Sequence, residues 1–143
     1  ASIYSYTLII TPLFLWKFET IMCIFCDVDE SKIIIQNQYW VALYDGFPVT
    51  KFHTLIALKE HVESFLSINN TEIVALNELI KQAQLNLRFK DSSITGFNIG
   101  INDGISAGQT IMHCHVHLIP RRNHDVANPR GGVRHVIPGK GFY

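Results

Sequence analysis

One short stretch constrains the fold of this chain more than any other. Residues 113–119 read His-Cys-His-Val-His-Leu-Ile. The histidines alternate with apolar residues at the period of a β-strand, so the pattern predicts a strand with all three imidazoles on one face. Neighbouring side chains on such a face lie roughly 6.5–7 Å apart, twice the rise per residue. We therefore expect a sheet in which one strand has an apolar face and a histidine face.

A small glycine-containing loop precedes the predicted strand. Residues 104–110 read Gly-Ile-Ser-Ala-Gly-Gln-Thr, and the backbone N–H groups of such a loop can approach a phosphate closely. Neutral imidazole is a nucleophile and a proton carrier near neutral pH, because its free pKa is about 6.5. A histidine whose Nδ1–H is held by a carbonyl presents the Nε2 lone pair, which can attack phosphorus. The alternatives that this pattern leaves open are a metal-binding histidine strand and a chance run of histidines.

Two of the three cysteines, Cys23 and Cys26, have the spacing of a zinc knuckle. A tetrahedral site needs two more ligands, which must come from distant parts of the chain. Two free thiols beside a capping histidine would give the same sequence. Three cysteines do not make a disulfide framework, and this spacing is more typical of metal or redox sites in intracellular proteins. We therefore expect a cytoplasmic protein.

The histidine stretch resembles the motif of the histidine-triad (HIT) nucleotide hydrolases and transferases, in which apolar residues follow each histidine. The apolar positions are filled here by Cys114, Val116, Leu118 and Ile119. The resemblance runs from about Cys23 to Tyr143 and is strongest to zinc-containing bacterial members similar to diadenosine polyphosphate hydrolases. It implies an α+β fold, with a roughly five-stranded antiparallel sheet and one long and one short helix. It also implies a homodimer.

The resemblance assigns roles to individual residues. His115 would attack the α-phosphorus of a nucleotide, and water would cleave the resulting nucleotidyl-histidine. The carbonyl of His113 would orient the His115 ring, His117 would donate hydrogen bonds to phosphate, and Gln109 would contact the bridging or leaving-group oxygen. Residues matching substrate-binding positions of the family are Asp45, His53, Asn102, Gly108, Gln109, Thr110 and His117.

Asp45 lies eight residues before His53, where related proteins place an acidic residue on the ribose hydroxyls. A simple turn aspartate is the alternative. The sequence departs from the family nearby, because Phe52 stands where glycine is common and Leu58 where proline is common. In zinc-bearing members, two histidines complete the site of the cysteine pair. The matching residues imply one structural zinc ion per chain, held by Cys23, Cys26, His61 and His113.

Hydrophobic periodicity gives the remaining elements. Strands are predicted over 32–36, 39–44, 54–58 and 97–102, and a short helix over 59–66. Asn69 or Asn70 should cap a longer helix, with Asn69 and Glu72 resembling a capping box. The expected apolar stripe of that helix comprises Ile73, Leu76, Ile80, Ala83 and Leu87.

Composition bounds the size and the partners. The 143 residues are 48% hydrophobic, enough for one domain with its own core. Twelve basic and twelve acidic side chains argue against a nucleic-acid coat or a membrane-surface protein. Residues 1–21 are expected to be a non-catalytic extension, from an upstream start or an artificial addition, and residues 22–143 the HIT domain. Basic residues dominate after position 118, where Arg121, Arg122, Arg130 and Arg134 either bind a polyphosphate or form a solvated surface.

The expected function is cleavage at the α-phosphate of a purine nucleotide or dinucleotide, such as a dinucleoside polyphosphate or a nucleoside phosphoramidate. Two other classes compete. One is a nucleotide-binding sensor or scaffold with little turnover. The other is a structural zinc protein in which the three histidines serve only as ligands.

Overall fold

Five short runs rich in Ile, Val, Leu and Trp pair into one antiparallel sheet in the computed structural model, which describes residues 23–143. The strand order is β1-β2-β3-β5-β4. The strands are β1 (Ile33–Gln36), β2 (Trp40–Tyr44), β3 (Thr54–Leu58), β4 (Ile94–Gly100) and β5 (His115–Arg122). One helix, α1 (Asn70–Lys90), connects β3 to β4. The α+β prediction is confirmed, whereas the expectation for residues 1–21 lies outside the described residues.

Alternation along the central strands separates two faces of the sheet. Ile56 of β3 and Val116 and Leu118 of β5 are buried in the core that packs against α1. The intervening residues face the other way: His115 pairs with Ala57, and His117 pairs with Leu55. The period of two therefore places the catalytic candidates on the sheet face opposite the helix.

Helix α1 begins with the predicted capping box. The Asn69 side chain accepts a hydrogen bond from the Glu72 backbone N–H at 3.0 Å, and the Glu72 carboxylate accepts one from the Asn69 N–H at 2.8 Å. The indole N–H of Trp40 donates to the Glu72 carbonyl at 2.8 Å, fixing this end of the helix on the sheet. The cap and the tryptophan together determine which side of the helix faces the core.

The apolar stripe predicted for α1 is partly wrong, because the observed helix faces the core with a slightly different set of residues. Leu76, Ala83 and Leu87 are buried as expected, but Ile73 is 41% exposed, while Leu79, which the stripe left out, is 1% exposed. The buried positions begin at Glu72 and recur every three or four residues. Anchoring Glu72 against Trp40 turns the N-terminal end of the stripe by one residue, about 100° of helix rotation.

The short helix predicted over residues 59–66 is wrong. Only a 3-10 turn, Phe65–Ser67, forms there. The Val62 carbonyl instead accepts the Cys114 N–H at 2.6 Å, and the Asp103 carboxylate accepts the Phe65 N–H at 2.8 Å. These long-range partners take the backbone groups that a helix would have paired within itself.

Four of the five predicted strands differ in extent from the observed ones: the first two begin one residue later, and the two around the glycine-containing loop are displaced by two or three residues at each end. The strand before the glycine-containing loop ends at Gly100 rather than 102, and the histidine strand begins at His115 rather than His113. Residues 101–114 form a connecting loop with a 3-10 turn at Ile105–Ala107. Over residues 23–143, no helix combines the length and the hydrophobicity that crossing a bilayer requires.

Candidate functional site

Four side chains from three distant parts of the chain converge beside the start of β5. They are Cys23, Cys26, His61 and His113, hereafter the Cys–His cluster. The Nδ1 atom of His113 lies 3.3 Å from the Cys23 sulfur, 3.6 Å from the Cys26 sulfur and 3.2 Å from Nδ1 of His61. The Cys26 sulfur lies 3.2 Å from the same His61 nitrogen.

These distances, from 3.2 to 3.6 Å, are close to the edge lengths of a metal-centred tetrahedron. With metal–nitrogen bonds of about 2.0–2.1 Å and metal–sulfur bonds of about 2.3 Å, such edges are roughly 3.3–3.8 Å long. The Nε2–H of His113 donates to the Leu58 carbonyl at 2.6 Å, which leaves Nδ1 with its lone pair towards the cluster. The donor set and its orientation therefore suit a thiophilic divalent cation.

His113 also contacts the next histidine of the triad through its backbone. The Nδ1–H of His115 donates to the His113 carbonyl at 2.7 Å, so the lone pair of His115 is on Nε2. The His115 ring is 6% exposed and lies between Phe25, at 5.1 Å between ring centroids, and His117, at 5.2 Å. A fixed tautomer and a confined ring are the properties expected of a histidine nucleophile.

A second group links Asp45, His53 and His117, hereafter the Asp–His–His line. Nε2 of His53 lies 2.9 Å from Nδ1 of His117, and Nδ1 of His53 lies 3.3 Å from the Asp45 carboxylate. Burial lowers the pKa of both histidines below the ordinary value, while the charge of Asp45 acts in the opposite direction. Both rings are therefore neutral near pH 7.

A cavity of about 600 Å³ opens beside this line. His53, His117 and Asn102 line it together with apolar side chains, among them Ile119, Val133 and Val136. Its volume lies within the range typical of small-ligand sites, roughly 300–1,000 Å³. The structure thus gathers three of the predicted substrate-binding residues, His53, Asn102 and His117, around one cavity.

The loop that precedes β5 places its residues differently. The Gln109 side chain is buried and bonded at both ends: its carbonyl accepts the Gly104 N–H at 2.8 Å, and its amide donates to the Glu63 carbonyl at 2.8 Å. Thr110 lines a smaller cavity beside Cys23 and His61, not the one beside His117. Gly108 adopts φ = 91°, a conformation that glycine allows without strain.

The arginines after β5 are engaged with other parts of the chain. Arg121 pairs with Asp125 at 2.7 Å, and Arg122 pairs with Asp91 at 2.8 Å. The guanidinium groups of Arg130 and Arg134 lie over the Tyr143 ring, at 4.7 and 5.1 Å from its centroid. Among the described residues, these contacts favour a role in holding the C-terminal segment together over direct reading of a polyphosphate.

Both departures from the family sequence have a structural counterpart. Phe52 has φ = 70°, the left-handed conformation that glycine would adopt without strain. The Leu58 N–H donates to the Cys114 carbonyl at 3.1 Å, a bond that proline could not make. Phe52 therefore takes a conformation that favours glycine, and Leu58 adds a backbone hydrogen bond between β3 and the residue before β5.

Three contacts were not anticipated from the sequence. Phe25, inside the cysteine motif, packs its ring against both His113 and His115. Asp103 binds the segment that carries His61, through Ser64 and the Phe65 N–H. His135 of the C-terminal segment lines the cavity beside His117. Only Phe25 had a usable signal, an aromatic residue held between two candidate ligands.

Comparison with known proteins agrees with this arrangement. The HIT domain profile matches residues 27–124. An uncharacterized HIT-like protein of Mycoplasma genitalium is 37% identical over 109 residues, covering 73% of this chain and 77% of that protein. A zinc-bound histidine triad family protein from Mycobacterium smegmatis superposes with a TM-score of 0.66 at 28% identity, covering 75% of this chain and 80% of that one.

A third similar structure is the diadenosine triphosphate hydrolase of Plasmodium falciparum, solved with cyclomarin A. It has a TM-score of 0.61 at 27% identity and covers 71% of this chain and 68% of that one. The profile match spans well over half of the chain and includes the whole histidine strand. Sequence motif, sheet order and relatives lead to one conclusion: this chain belongs to the HIT domain family.

Proposed function

We propose that the protein is a nucleotide hydrolase that cleaves at the α-phosphate through a nucleotidyl-His115 intermediate. The observation that carries the proposal is the 2.7 Å hydrogen bond from His115 Nδ1 to the His113 carbonyl, which leaves the Nε2 lone pair for attack on phosphorus. Membership in the HIT family and likeness to a diadenosine triphosphate hydrolase support the same reaction class.

The reaction has two balanced steps. In the first, Nε2 of His115 forms a bond to the α-phosphorus while the bond to the leaving group breaks, and the leaving group departs with its electron pair. In the second, a water oxygen attacks the same phosphorus and the water releases one proton to solvent, while the phosphorus–nitrogen bond breaks and its electron pair returns to His115. Backbone N–H groups near Gly108 and the Thr110 hydroxyl remain our predicted partners for the charged phosphate oxygens.

The cavity beside His117 is the proposed site for a purine nucleotide or dinucleotide. Its polar wall, with His53, Asn102 and His117, suits phosphate and sugar, and its apolar side chains suit a flat base. Gln109 is predicted to contact the leaving-group oxygen. To do so it would have to release the Gly104 N–H or the Glu63 carbonyl, which it binds here.

A zinc ion bound by Cys23, Cys26, His61 and His113 is part of the proposal. Bound there, the metal would supply a structural cross-link between the N-terminal cysteine turn and two later segments. It would not touch the substrate, because the His113 ring faces the cysteines while its carbonyl faces His115. The zinc-bound relative from Mycobacterium smegmatis supports this assignment.

The decisive experiment replaces the nucleophile. In His115→Asn, release of nucleoside monophosphate from adenosine phosphoramidate or diadenosine polyphosphate should fall by many orders of magnitude, whereas nucleotide binding should persist. His124→Asn is the matched control, since His124 is exposed and its φ of 66° is one that asparagine tolerates. Its activity should equal that of the wild type.

Retention of more than about a tenth of the wild-type rate by His115→Asn would exclude the nucleophile role, because acid–base assistance alone is worth about 10²–10⁴-fold. A wild-type protein that binds nucleotides without releasing any monophosphate would be a sensor or scaffold instead. More than one zinc ion per chain, held by His115 and His117, would favour a structural zinc protein.

We also propose a cytoplasmic homodimer. The three cysteines are free thiols, as a reducing compartment allows. Strand β4 is at an edge of the sheet, and Leu85 and Phe89 of α1 are 62% and 93% exposed. A two-fold pairing of these elements would cover them. Sedimentation of the wild type and of Phe89→Asp tests the assembly: a monomeric wild type contradicts it.

A further inference from the structure

The turn that carries Cys23 and Cys26 has the backbone geometry of a disulfide loop. The Cys26 N–H donates to the Cys23 carbonyl at 2.9 Å, which closes a turn of four residues. In such a turn the first and last Cα atoms lie less than about 7 Å apart. A disulfide needs roughly 4.4–6.8 Å between its Cα atoms, so the backbone already has a suitable spacing for this bond.

The two cysteine side chains of this turn point towards the same place. Their sulfurs lie 3.3 and 3.6 Å from a single atom, Nδ1 of His113, and within 4.8 Å of each other. Phe25, between the cysteines, is 3% exposed and packs against His113 and His115, which anchors the turn. Rotation of two side chains is therefore enough to bring the sulfurs to the disulfide bond length of about 2.05 Å.

Both thiols of the turn can be reached from solvent, and the third thiol cannot. Cys26 is exposed and Cys23 is partly exposed. Cys23 also lines a cavity of about 340 Å³ together with His61 and Glu63, which is far larger than a peroxide molecule. Cys114, in contrast, is 2% exposed and lies outside the Cys–His cluster. A small oxidant therefore meets the two thiols that the turn pairs.

We propose that Cys23 and Cys26 form an oxidation-sensitive modification site: a hydroperoxide converts the pair into an intramolecular disulfide, and the cation of the Cys–His cluster is released. The inference goes beyond hydrolysis and rests only on the metal part of the proposed function. Metal ligation by cysteine requires the thiolate, which a disulfide no longer provides. His61 and His113 are then the remaining ligands, half of a tetrahedral set.

The oxidation has two balanced steps. The more exposed thiolate, Cys26, attacks one peroxide oxygen. The sulfur–oxygen bond forms, the oxygen–oxygen bond breaks, and hydroxide leaves as water with a proton from solvent, giving a sulfenic acid. The Cys23 thiolate then attacks the Cys26 sulfur, the disulfide bond forms, and the sulfur–oxygen bond breaks with loss of a second water. The two sulfurs give two electrons to the peroxide, and the charge of the cation does not change.

This oxidation replaces a long-range cross-link by a local one. A cation in the cluster joins Cys26 to His61, 35 residues away, and Cys23 to His113, 90 residues away. The disulfide joins two residues of one turn, and short loops gain least from such a bond. The oxidised protein should therefore melt about 10 °C below the reduced, zinc-bound protein.

Treatment of the full-length, zinc-loaded protein with hydrogen peroxide tests the proposal without any measurement of hydrolysis. A colorimetric chelator should detect one zinc ion released per chain, while the intact mass falls by two hydrogens and peptide mapping joins Cys23 to Cys26. Dithiothreitol with added zinc should reverse both changes. Zinc that stays bound to the disulfide form, or leaves without this disulfide, would overturn the proposal. A protein that cannot be loaded with zinc before oxidation would end the metal assignment and metal release with it, whatever its hydrolase activity.

Two variants separate closure of the pair from general oxidation. In Cys23→Ser, oxidation of Cys26 should stop at the sulfenic acid, which dimedone traps, whereas the wild type should give almost no adduct because Cys23 closes the disulfide first. Cys114→Ala is the matched control and should release zinc as the wild type does. Equal Cys26 adducts in wild type and Cys23→Ser would show that the pair does not close. Oxidation of Cys114 in the wild type would show that unfolding exposes the thiols, and either result would overturn the proposal.

Discussion

Within residues 23–143, two groups of side chains bring potential metal ligands within 4.8 Å of one another, yet the groups differ in how their ligand atoms are directed. In the Cys–His cluster, His113 uses one nitrogen for all three partners, while its other nitrogen is held by the Leu58 carbonyl. In the Asp–His–His line, His53 uses a different nitrogen for each partner. Ligand atoms that converge on one point are suited to binding a cation, whereas rings joined end to end are suited to sharing protons along a chain of hydrogen bonds.

The difference shows that proximity alone does not identify a metal site. A cation needs lone pairs that meet in one place, with the second nitrogen of each histidine bonded away from it. A chain of hydrogen bonds needs each ring to accept at one nitrogen and donate at the other. The same residue type thus serves either purpose, according to what its second nitrogen contacts.

The largest expected effect comes from breaking the Cys–His cluster. The double variant Cys23→Ser/Cys26→Ser should lose its zinc, and its melting temperature should fall by about 10 °C, because metal binding to such a site contributes directly to folding. Elemental analysis and calorimetry measure both. Cys114→Ala is the control: its buried thiol, whose pKa burial raises to about 11, lies outside the cluster, so metal content should not change. Unchanged zinc in the double variant contradicts the assignment.

Breaking the Asp–His–His line should have the opposite pattern. His53→Gln cannot accept and donate along the line as an imidazole does, so kcat should fall by about 10- to 100-fold. Zinc content should stay at one per chain. Two outcomes would show that the line is a metal site and would contradict the contrast with the Cys–His cluster. One is loss of metal from this variant, and the other is a second zinc in the wild type that His53→Gln removes.

Gln109 joins the loop before β5 to the segment that carries His61, because it bonds both Gly104 and Glu63. Its removal should have a moderate effect on stability. Gln109→Ala leaves the Gly104 N–H and the Glu63 carbonyl without their partner, at a cost of about 1–3 kcal/mol. Urea unfolding measures this loss. If Gln109 only braces the loop, the loss of kcat should be the same for good and poor leaving groups. A loss that grows for poor leaving groups would support its predicted catalytic contact.

The smallest expected effect is a loss of stability at mildly acidic pH. Burial lowers the pKa of His53 and His117, so below about pH 6.5 the unfolded chain binds more protons than the folded one. The stability that the neutral rings provide is complete above that pH and decreases as the pH falls towards the lowered values. Urea midpoints at about pH 7.5 and about pH 5.5 should show this fall, and His53→Gln should reduce it. An equal fall in both proteins would remove His53 as a cause.

The sequence was most informative where a local pattern and its tertiary use coincide. The Asn69–Glu72 capping box and the strand at Thr54–Leu58 are both found as predicted. The Cys–His cluster also assembles from residues that the family resemblance named. The prediction failed where distant backbone groups compete with local ones, as in residues 59–66, whose pattern does not reveal that Val62 pairs with Cys114.

Side-chain partners could not be predicted from the sequence either, because they too come from distant parts of the chain. Four arginines near a phosphate site suggested a polyanion, but nothing in their spacing indicates that Arg122 meets Asp91 or that Arg134 lies over Tyr143. Likewise, the interval between Asp45 and His53 gave a ribose contact by analogy, while the 3.3 Å approach of the Asp45 carboxylate to the His53 ring depends on how the turn at Asp45 folds. Such pairs are decided by tertiary geometry.

His113 belongs to the Cys–His cluster through its ring and to the nucleophile through its carbonyl. Because His113 is shared, cation binding at the Cys–His cluster and nucleotide binding beside His115 are thermodynamically linked. Whatever factor a bound cation applies to the affinity of the His115 side for a nucleotide, the nucleotide must apply to the affinity of the cluster for the cation. The amount of metal that the protein retains under a chelator, measured with and without nucleotide, therefore measures the coupling between the Cys–His cluster and the position of His115.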